Sequence, residues 1–343
     1  MKLDIICNDG SPLGVTLKSL YGEDGRIGVG GAENALLTMC EGWHKAGHEI
    51  TLYNSPNVAD GSPFPQRGID DFRPEDERDY LIIFRSPNHR ANGAKGKKIW
   101  WSTDQATVGD FKAFSYGMDK IVTISKFHSD HFKNIYGITN TVSIDLPVRT
   151  WEYKDEVQKV PKQCLFSSVP DRGLMPLHAA WARIVRDVPD ANLVITSDWR
   201  LWSPHIDEGA VRQYRLAFAH QPNVTYLSAV NRKRLVEEQM KSAMHLYPGV
   251  YDELFCISVA ESQVAGAFPI TSNYGALGST NMGMVISGNP TDPKWIEVFV
   301  AKAAELLNDN KLIDRQKRIR NLAMKRFSLD KILEQWAEKV FNA

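Results

Sequence analysis

Two carboxylates, Glu253 and Glu261, stand eight positions apart in the run Leu246-Tyr-Pro-Gly-Val-Tyr-Asp-Glu253-Leu-Phe-Cys-Ile-Ser-Val-Ala-Glu261. The short apolar run ending at Tyr247 predicts a buried strand, Pro248 and Gly249 stop it, and residues 256–266 read as a short helix ended by Gly266. Residues 251–255 therefore form a loop at a helix N-terminus. Unpaired N–H groups and the positive end of the helix dipole suit that position to a diphosphate. Glu253 sits at the mouth of the loop and Glu261 about two turns into the helix. A carboxylate can accept two hydrogen bonds from a vicinal diol, so one acid suits a sugar and the other a ribose. In isolation the same spacing also describes a solvated loop acid followed by a helix-face acid.

The order of elements narrows the choice. A strand, a Pro-Gly loop, Glu253, a helix bearing Glu261, Gly266 and a further strand Phe268-Pro-Ile-Thr resemble the donor-binding signature of retaining GT-B glycosyltransferases, particularly glycosyltransferase family 4. Those enzymes usually carry Glu-Gly-Phe-Gly where this chain has Glu253-Leu254-Phe255-Cys256, so backbone approach to the phosphates is tighter or differently shaped here. The resemblance implies that Glu253 holds sugar hydroxyls, the amides of Phe255 and Cys256 hold the diphosphate, and Glu261 holds the ribose.

Other segments are similar to the same family. Ile27-Gly-Val-Gly30-Gly31-Ala-Glu33-Asn opens the first long helix, and glycines there let backbone approach a ligand closely. It is neither Gly-x-Gly-x-x-Gly nor a Walker loop. The resemblance implies that Gly30 and Gly31 face the donor phosphates and the acceptor. In Ser167-Ser-Val-Pro-Asp-Arg172-Gly173, a cation before a helix would neutralise charge growing on a departing diphosphate. Arg172-Gly173 matches the family's Lys-Gly, while serines stand where relatives carry an earlier Arg, so Arg172 is the expected phosphate ligand. Trp100-Trp101-Ser-Thr103-Asp104 looks like a Trp-x-His-Asp region with Thr103 in place of the histidine. Asp104 is then expected to orient the acceptor hydroxyl, with Asn88, His89 and Thr103 as acceptor contacts. Val230 closes the strand-end segment 227–230, where relatives contact the base through backbone atoms, and uracil and guanine are equally allowed. His128 and His131 could share a helix face with a metal, but no third ligand is evident in the sequence and the segment resembles a structural helix of the acceptor domain. The reading expects no metal and no cofactor, the nucleotide sugar being substrate.

Composition bounds the rest. The 343 residues suffice for two domains with separate cores, and 43% hydrophobic with 24% charged residues describe a soluble globular protein. With 41 basic and 41 acidic residues there is no bulk attraction to nucleic acid or anionic membrane, although a local groove for nucleic acid stays open. Cysteines at 7, 40, 164 and 256 are widely spaced, contain no Cys-x-x-Cys pair and read as core thiols in a reducing compartment. The opening Met-Lys-Leu-Asp-Ile-Ile-Cys has an acid inside its apolar run, which argues against a signal peptide or membrane span. The expectation is a cytoplasmic protein, with peripheral membrane association open because a soluble enzyme can act on a lipid-linked acceptor.

Apolar runs at 3–7, 50–53, 80–84, 99–101 and 121–124, and again at 163–167, 192–196, 224–227, 245–247, 268–271 and 284–287, alternate with helical patterns. Leu36, Met39, Cys40 and Trp43 recur at helical spacing before Gly47, and Ser125 can cap a helix to about Tyr136. In the tail Ser328 can cap a helix whose stripe is Ile332, Leu333, Trp336, Val340 and Phe341. The predicted fold is α/β, of GT-B type: two Rossmann-like, doubly wound domains facing across a cleft, with the last helix crossing back to the N-terminal domain. The expected divisions are 1–155 with 328–343 for the acceptor and 156–327 for the donor.

The function expected from this resemblance is retaining, metal-independent transfer of a hexose from a UDP- or GDP-linked donor to a hydroxyl of a glycan or lipid-linked glycan. A small molecule or a hydroxylated DNA base is an alternative acceptor. A nucleotide-sugar epimerase or a degenerate sugar-nucleotide-binding protein is the alternative function.

Overall fold

The computed structural model describes residues 1–7, 14–56, 62–105, 109–154, 157–201 and 208–342. The chain divides into two units, one of Met1–Pro147 with Ser328–Ala343 and one of Val148–Phe327.

In the first unit seven strands form one parallel sheet: β1 Lys2–Ile6, β2 Glu49–Tyr53, β3 Gln66–Arg67, β4 Tyr80–Phe84, β5 Lys97–Trp101, β6 Lys120–Thr123 and β7 Thr141–Ser143, in the order β3-β2-β1-β4-β5-β6-β7. Strands covered on both faces lose all their water, which is why β4 is apolar throughout and buried at every residue. The acid inside β1 is explained by a partner, since Asp4 is buried and accepts a 2.7 Å bond from Arg78 Nε. The apolar stripe of helix Gly31–Lys45 packs on the sheet, with Leu36, Met39, Cys40 and Trp43 buried. Gly42 on that helix meets the tail helix Leu329–Trp336, where a Cβ would lie 2.8 Å from Leu329 Cδ1. Trp336 then stacks edge-on against Trp43 and Trp101, with centroids 5.1 and 5.4 Å away, and Tyr80 Oη donates to Phe341 O at 2.8 Å. The tail thus folds as part of the first unit.

The second unit has β8 Gln163–Ser167, β9 Asn192–Thr196, β10 Val224–Tyr226, β11 Met244–Tyr247, β12 Phe268–Ser272 and β13 Met284–Ile286, all parallel, in the order β10-β9-β8-β11-β12-β13. Helices Leu174–Asp187 and Pro293–Leu307 contribute Leu177, Trp181, Ile184, Phe299 and Ala303 to its core. Residues 148–154, expected in the first domain, belong to the second. The reason is polar: Tyr153 Oη donates to Gln239 Oε1 at 2.7 Å, Arg320 Nη2 donates to Tyr153 O at 2.8 Å, and Glu152 pairs with Arg232 at 2.6 Å.

In each sheet the strand order reverses between the first strand and its neighbour, β1 with β4 and β8 with β11. Ligands of open α/β sheets bind outside the carboxyl ends of strands at such a switch point. Arg172 follows β8 and Glu253 follows β11, so these two donor-site candidates of the second unit arise at that place.

Candidate functional site

The loop after β8 carries Arg172 in the turn Pro170–Arg172, and Gly173 then starts the next helix with φ 152°. A Cβ on Gly173 would lie 2.6 Å from Pro248 O, so only glycine lets this loop close on the one after β11. Val250 N donates to Arg172 O at 3.1 Å across the same approach. The Arg172 guanidinium lies 3.3 Å from the centroid of the Tyr251 ring. Burial works against its charge, but Glu253 and Tyr251 more than compensate and hold its pKa above the ordinary value.

Glu253 is half-buried. Tyr247 Oη, at the end of β11, donates to Glu253 Oε1 at 2.5 Å and lies 3.3 Å from Ser168 Oγ. Burial raises the Glu253 pKa, opposed by Arg172 and by the Tyr247 hydrogen bond. Its backbone is fixed from the other side, because Ala276 N donates to Glu253 O at 2.6 Å and Gly275, at φ 57°, packs directly on the Glu253 backbone. Tyr247 and Gly275 were not singled out in the sequence. A tyrosine closing an apolar strand reads as core, and Gly275 touches Glu253 only in the folded unit.

Cys256 caps helix Ile257–Val264 with φ 70° and ψ 78°. This is a left-handed conformation for which a glycine carries no penalty. The Cys256 Sγ lies 3.5 Å from Ser258 Oγ, and burial pushes the thiol pKa up to about 12, so it packs as a neutral group. Phe255 is buried with its ring 5.7 Å from that of Phe327.

Glu261 is buried and already engaged. Arg232 Nη1 donates to its Oε1, and Gln239 Nε2 donates to its Oε2 at 3.2 Å. Val230 is half-buried, between Ser228, at φ 60° and bonded by Arg215 at 2.5 Å, and Asn231, which caps the helix Arg232–Lys241.

In the first unit Gly30 caps helix Gly31–Lys45 in extended conformation, and the Glu33 side chain folds back against it. Glu33 pairs with Arg85 at 2.5 Å, and Arg85 itself has φ 72° just after β4. Arg85 is a cation at the switch point of the first sheet that the sequence reading did not single out. Asn88 is buried and spends its Oδ1 on Arg90 N at 3.0 Å, capping the turn His89–Ala91, whereas His89 is exposed. Thr103 and Asp104 are half-buried after β5, and Asp104 Oδ1 accepts from Gln105 N at 2.7 Å. His128 is buried, and burial lowers its pKa to about 3. Among the described residues no three His, Cys, Asp or Glu side chains gather as metal ligands. No described helix is long and apolar enough to cross a membrane.

Two parallel, doubly wound sheets with the last helix joined to the first unit define the GT-B fold. No protein-family model and no curated protein matches the sequence. Solved structures do match the fold. A glycosyltransferase from Rickettsia africae superposes with TM-score 0.72 at 14% identity, covering 98% of this chain and 97% of that one. Anabaena HepE in complex with UDP and glucose gives 0.72 at 12% identity with both chains covered fully, 100% each. Sucrose-phosphate synthase from Thermosynechococcus elongatus gives 0.74 at 14% identity, covering 99% of each chain.

Proposed function

We propose that this protein is a glycosyltransferase that moves a hexose from a UDP- or GDP-linked donor to an acceptor hydroxyl with retention of configuration. The observation that carries the reading is the juxtaposition of Arg172 and Glu253 at the switch point of the second sheet, beside a helix N-terminus. In this reading Glu253 grips sugar hydroxyls, Glu261 the ribose, and the backbone around Val230 the base. The amides of Phe255 and Cys256 and the Arg172 cation stabilise charge on the departing diphosphate, which takes the acceptor proton. Within the first unit, Asp104 orients the acceptor with Asn88, His89 and Thr103. Arg172 and the helix amides fill the role a metal takes elsewhere, so turnover persists in EDTA. The acceptor is a glycan or lipid-linked glycan, and the four buried cysteine thiols support a cytoplasmic location.

The test is turnover of UDP-, GDP- and ADP-sugars, with and without mixed glycan acceptors, by the protein and its Glu253→Ala variant. Acceptor-dependent release of nucleoside diphosphate, abolished in the variant, is the expected result. Sugar inversion without acceptor would identify an epimerase instead, and unchanged turnover in the variant would overturn the site.

A further inference from the structure

Four buried side chains of the second unit close a ring of hydrogen bonds around Glu261. Arg232 Nη1 donates to Glu261 Oε1, Arg232 Nη2 donates to Tyr153 Oη at 3.3 Å, Tyr153 Oη donates to Gln239 Oε1 at 2.7 Å, and Gln239 Nε2 returns to Glu261 Oε2 at 3.2 Å. Arg232 is 6% exposed, Glu261 3%, Tyr153 2% and Gln239 0%, so every member is out of water. Outside the ring Arg232 Nε holds Glu152 Oε2 at 2.6 Å, and Glu152 Oε1 is held by Arg149 at 2.8 Å. Two acids and two arginines balance.

Burying ion pairs is an expensive way to gain stability, since the loss of hydration offsets most of the attraction and apolar replacements often serve as well. What such a ring does deliver is orientation. A carboxylate hung from two fixed donors, one on each oxygen, cannot rotate about its terminal torsion, which is otherwise broad. Each bond is directional and the guanidinium fork is planar, so the Glu261 plane is set before any ligand arrives. Arg232 is also the first residue of its helix, two positions after Val230, so the same side chain ties the carboxylate to the segment proposed to meet the base.

We propose that Arg232, with Tyr153 and Gln239, is a positioning residue that presets the Glu261 carboxylate for the 2′- and 3′-hydroxyls of the donor ribose. This rests on the donor-site reading above, in which Glu261 is the ribose ligand. Arg232 acts through Glu261 and touches no reacting atom. The segment 148–154 thereby forms part of the donor site, because it supplies Tyr153 to the ring and Glu152 to its arginine.

The test compares the affinities of UDP, GDP and ADP with those of their 2′-deoxy forms by calorimetry, for the full chain and for Arg232→Lys and Tyr153→Phe. Lysine keeps the charge but loses the fork, and phenylalanine keeps the ring volume while losing only the hydroxyl. The wild-type protein should prefer one ribonucleotide over its deoxy form by roughly ten- to a hundredfold, the range of a hydrogen bond to a charged group. In Arg232→Lys that preference should collapse toward one while deoxynucleotide affinity stays within about twofold, and Tyr153→Phe should fall between. A structural role alone would weaken both nucleotides together. Undiminished preference in a variant that unfolds at the wild-type temperature overturns the proposal and leaves the donor site standing. Wild-type binding without ribose preference overturns Glu261 as ribose ligand and the proposal with it. No binding of any of the three nucleotides overturns the donor-site reading itself. Should Arg232→Lys fail to fold, Tyr153→Phe decides the matter by the same ratio.

Discussion

Tyr247 and Glu253 are joined by a 2.5 Å hydrogen bond in which the phenol donates to the carboxylate. The bond favours the ionised acid, against the burial that raises its pKa. Removing the hydroxyl in Tyr247→Phe should push the Glu253 pKa further up. The acid limb of the kcat/KM profile should therefore move to higher pH, since that limb reports free-enzyme groups that must be ionised, here the carboxylate that accepts from the sugar hydroxyls. A limb that stays in place would mean that ionisation of Glu253 does not limit the reaction.

Arg172 sits 3.3 Å from the Tyr251 ring and within electrostatic reach of Glu253. If it stabilises the departing diphosphate, Arg172→Ala should lower kcat by about 10²- to 10³-fold, as loss of one transition-state donor does elsewhere. KM for the donor should change far less. A variant that loses affinity and keeps kcat would make Arg172 a ground-state ligand only.

The tail helix is anchored by Trp336, which is fully buried against Trp43 and Trp101. Trp336→Ala leaves a large cavity and should cost about 3–5 kcal/mol. Urea titration followed by the fluorescence of the first unit's tryptophans would reveal it as an earlier unfolding midpoint. An unshifted midpoint would show that the helix adds nothing to that unit's stability.

His245 lies in the middle of β11, buried, with neither ring nitrogen bonded to another protein group. Burial lowers its pKa from 6.5 to about 3. Between these values the unfolded chain binds a proton that the native state refuses, so native stability is intact above pH 6.5 and falls as the pH drops toward 3. His128 adds the same trend. His245→Leu should stabilise the protein at pH 7 by about 1–3 kcal/mol, the penalty of a buried unsatisfied polar group. It should also flatten the acid loss, as chemical denaturation at pH 7 and 4.5 would measure. Equal acid sensitivity in the variant would place the titrating group elsewhere.

The sequence was informative where burial is uniform. β8 and β9 match the runs 163–167 and 192–196 to the residue, because the middle of a strand covered on both faces must be apolar. The two-residue β3 and the polar β7 went unseen, since an edge strand is defined by pairing with its neighbour and not by its own pattern. Residues 148–154 were expected in the first domain for the same reason, their acids and arginines revealing nothing of the partners on helix Arg232–Lys241.

Within the candidate site the local chemistry was legible and the long-range geometry was not. Glu253, Glu261, Arg172 and the glycine beside it became candidates through the family resemblance of their segments, because helix starts, tight turns and charge are properties of a few adjacent residues. That Tyr247 bonds Glu253, that Gly275 backs it, and that Glu261 hangs in a closed ring with Arg232, Gln239 and Tyr153 depends on groups up to 108 positions apart, from 153 to 261. Only the packing of parallel strands and their helices brings such groups within hydrogen-bond distance, and no local pattern encodes that approach.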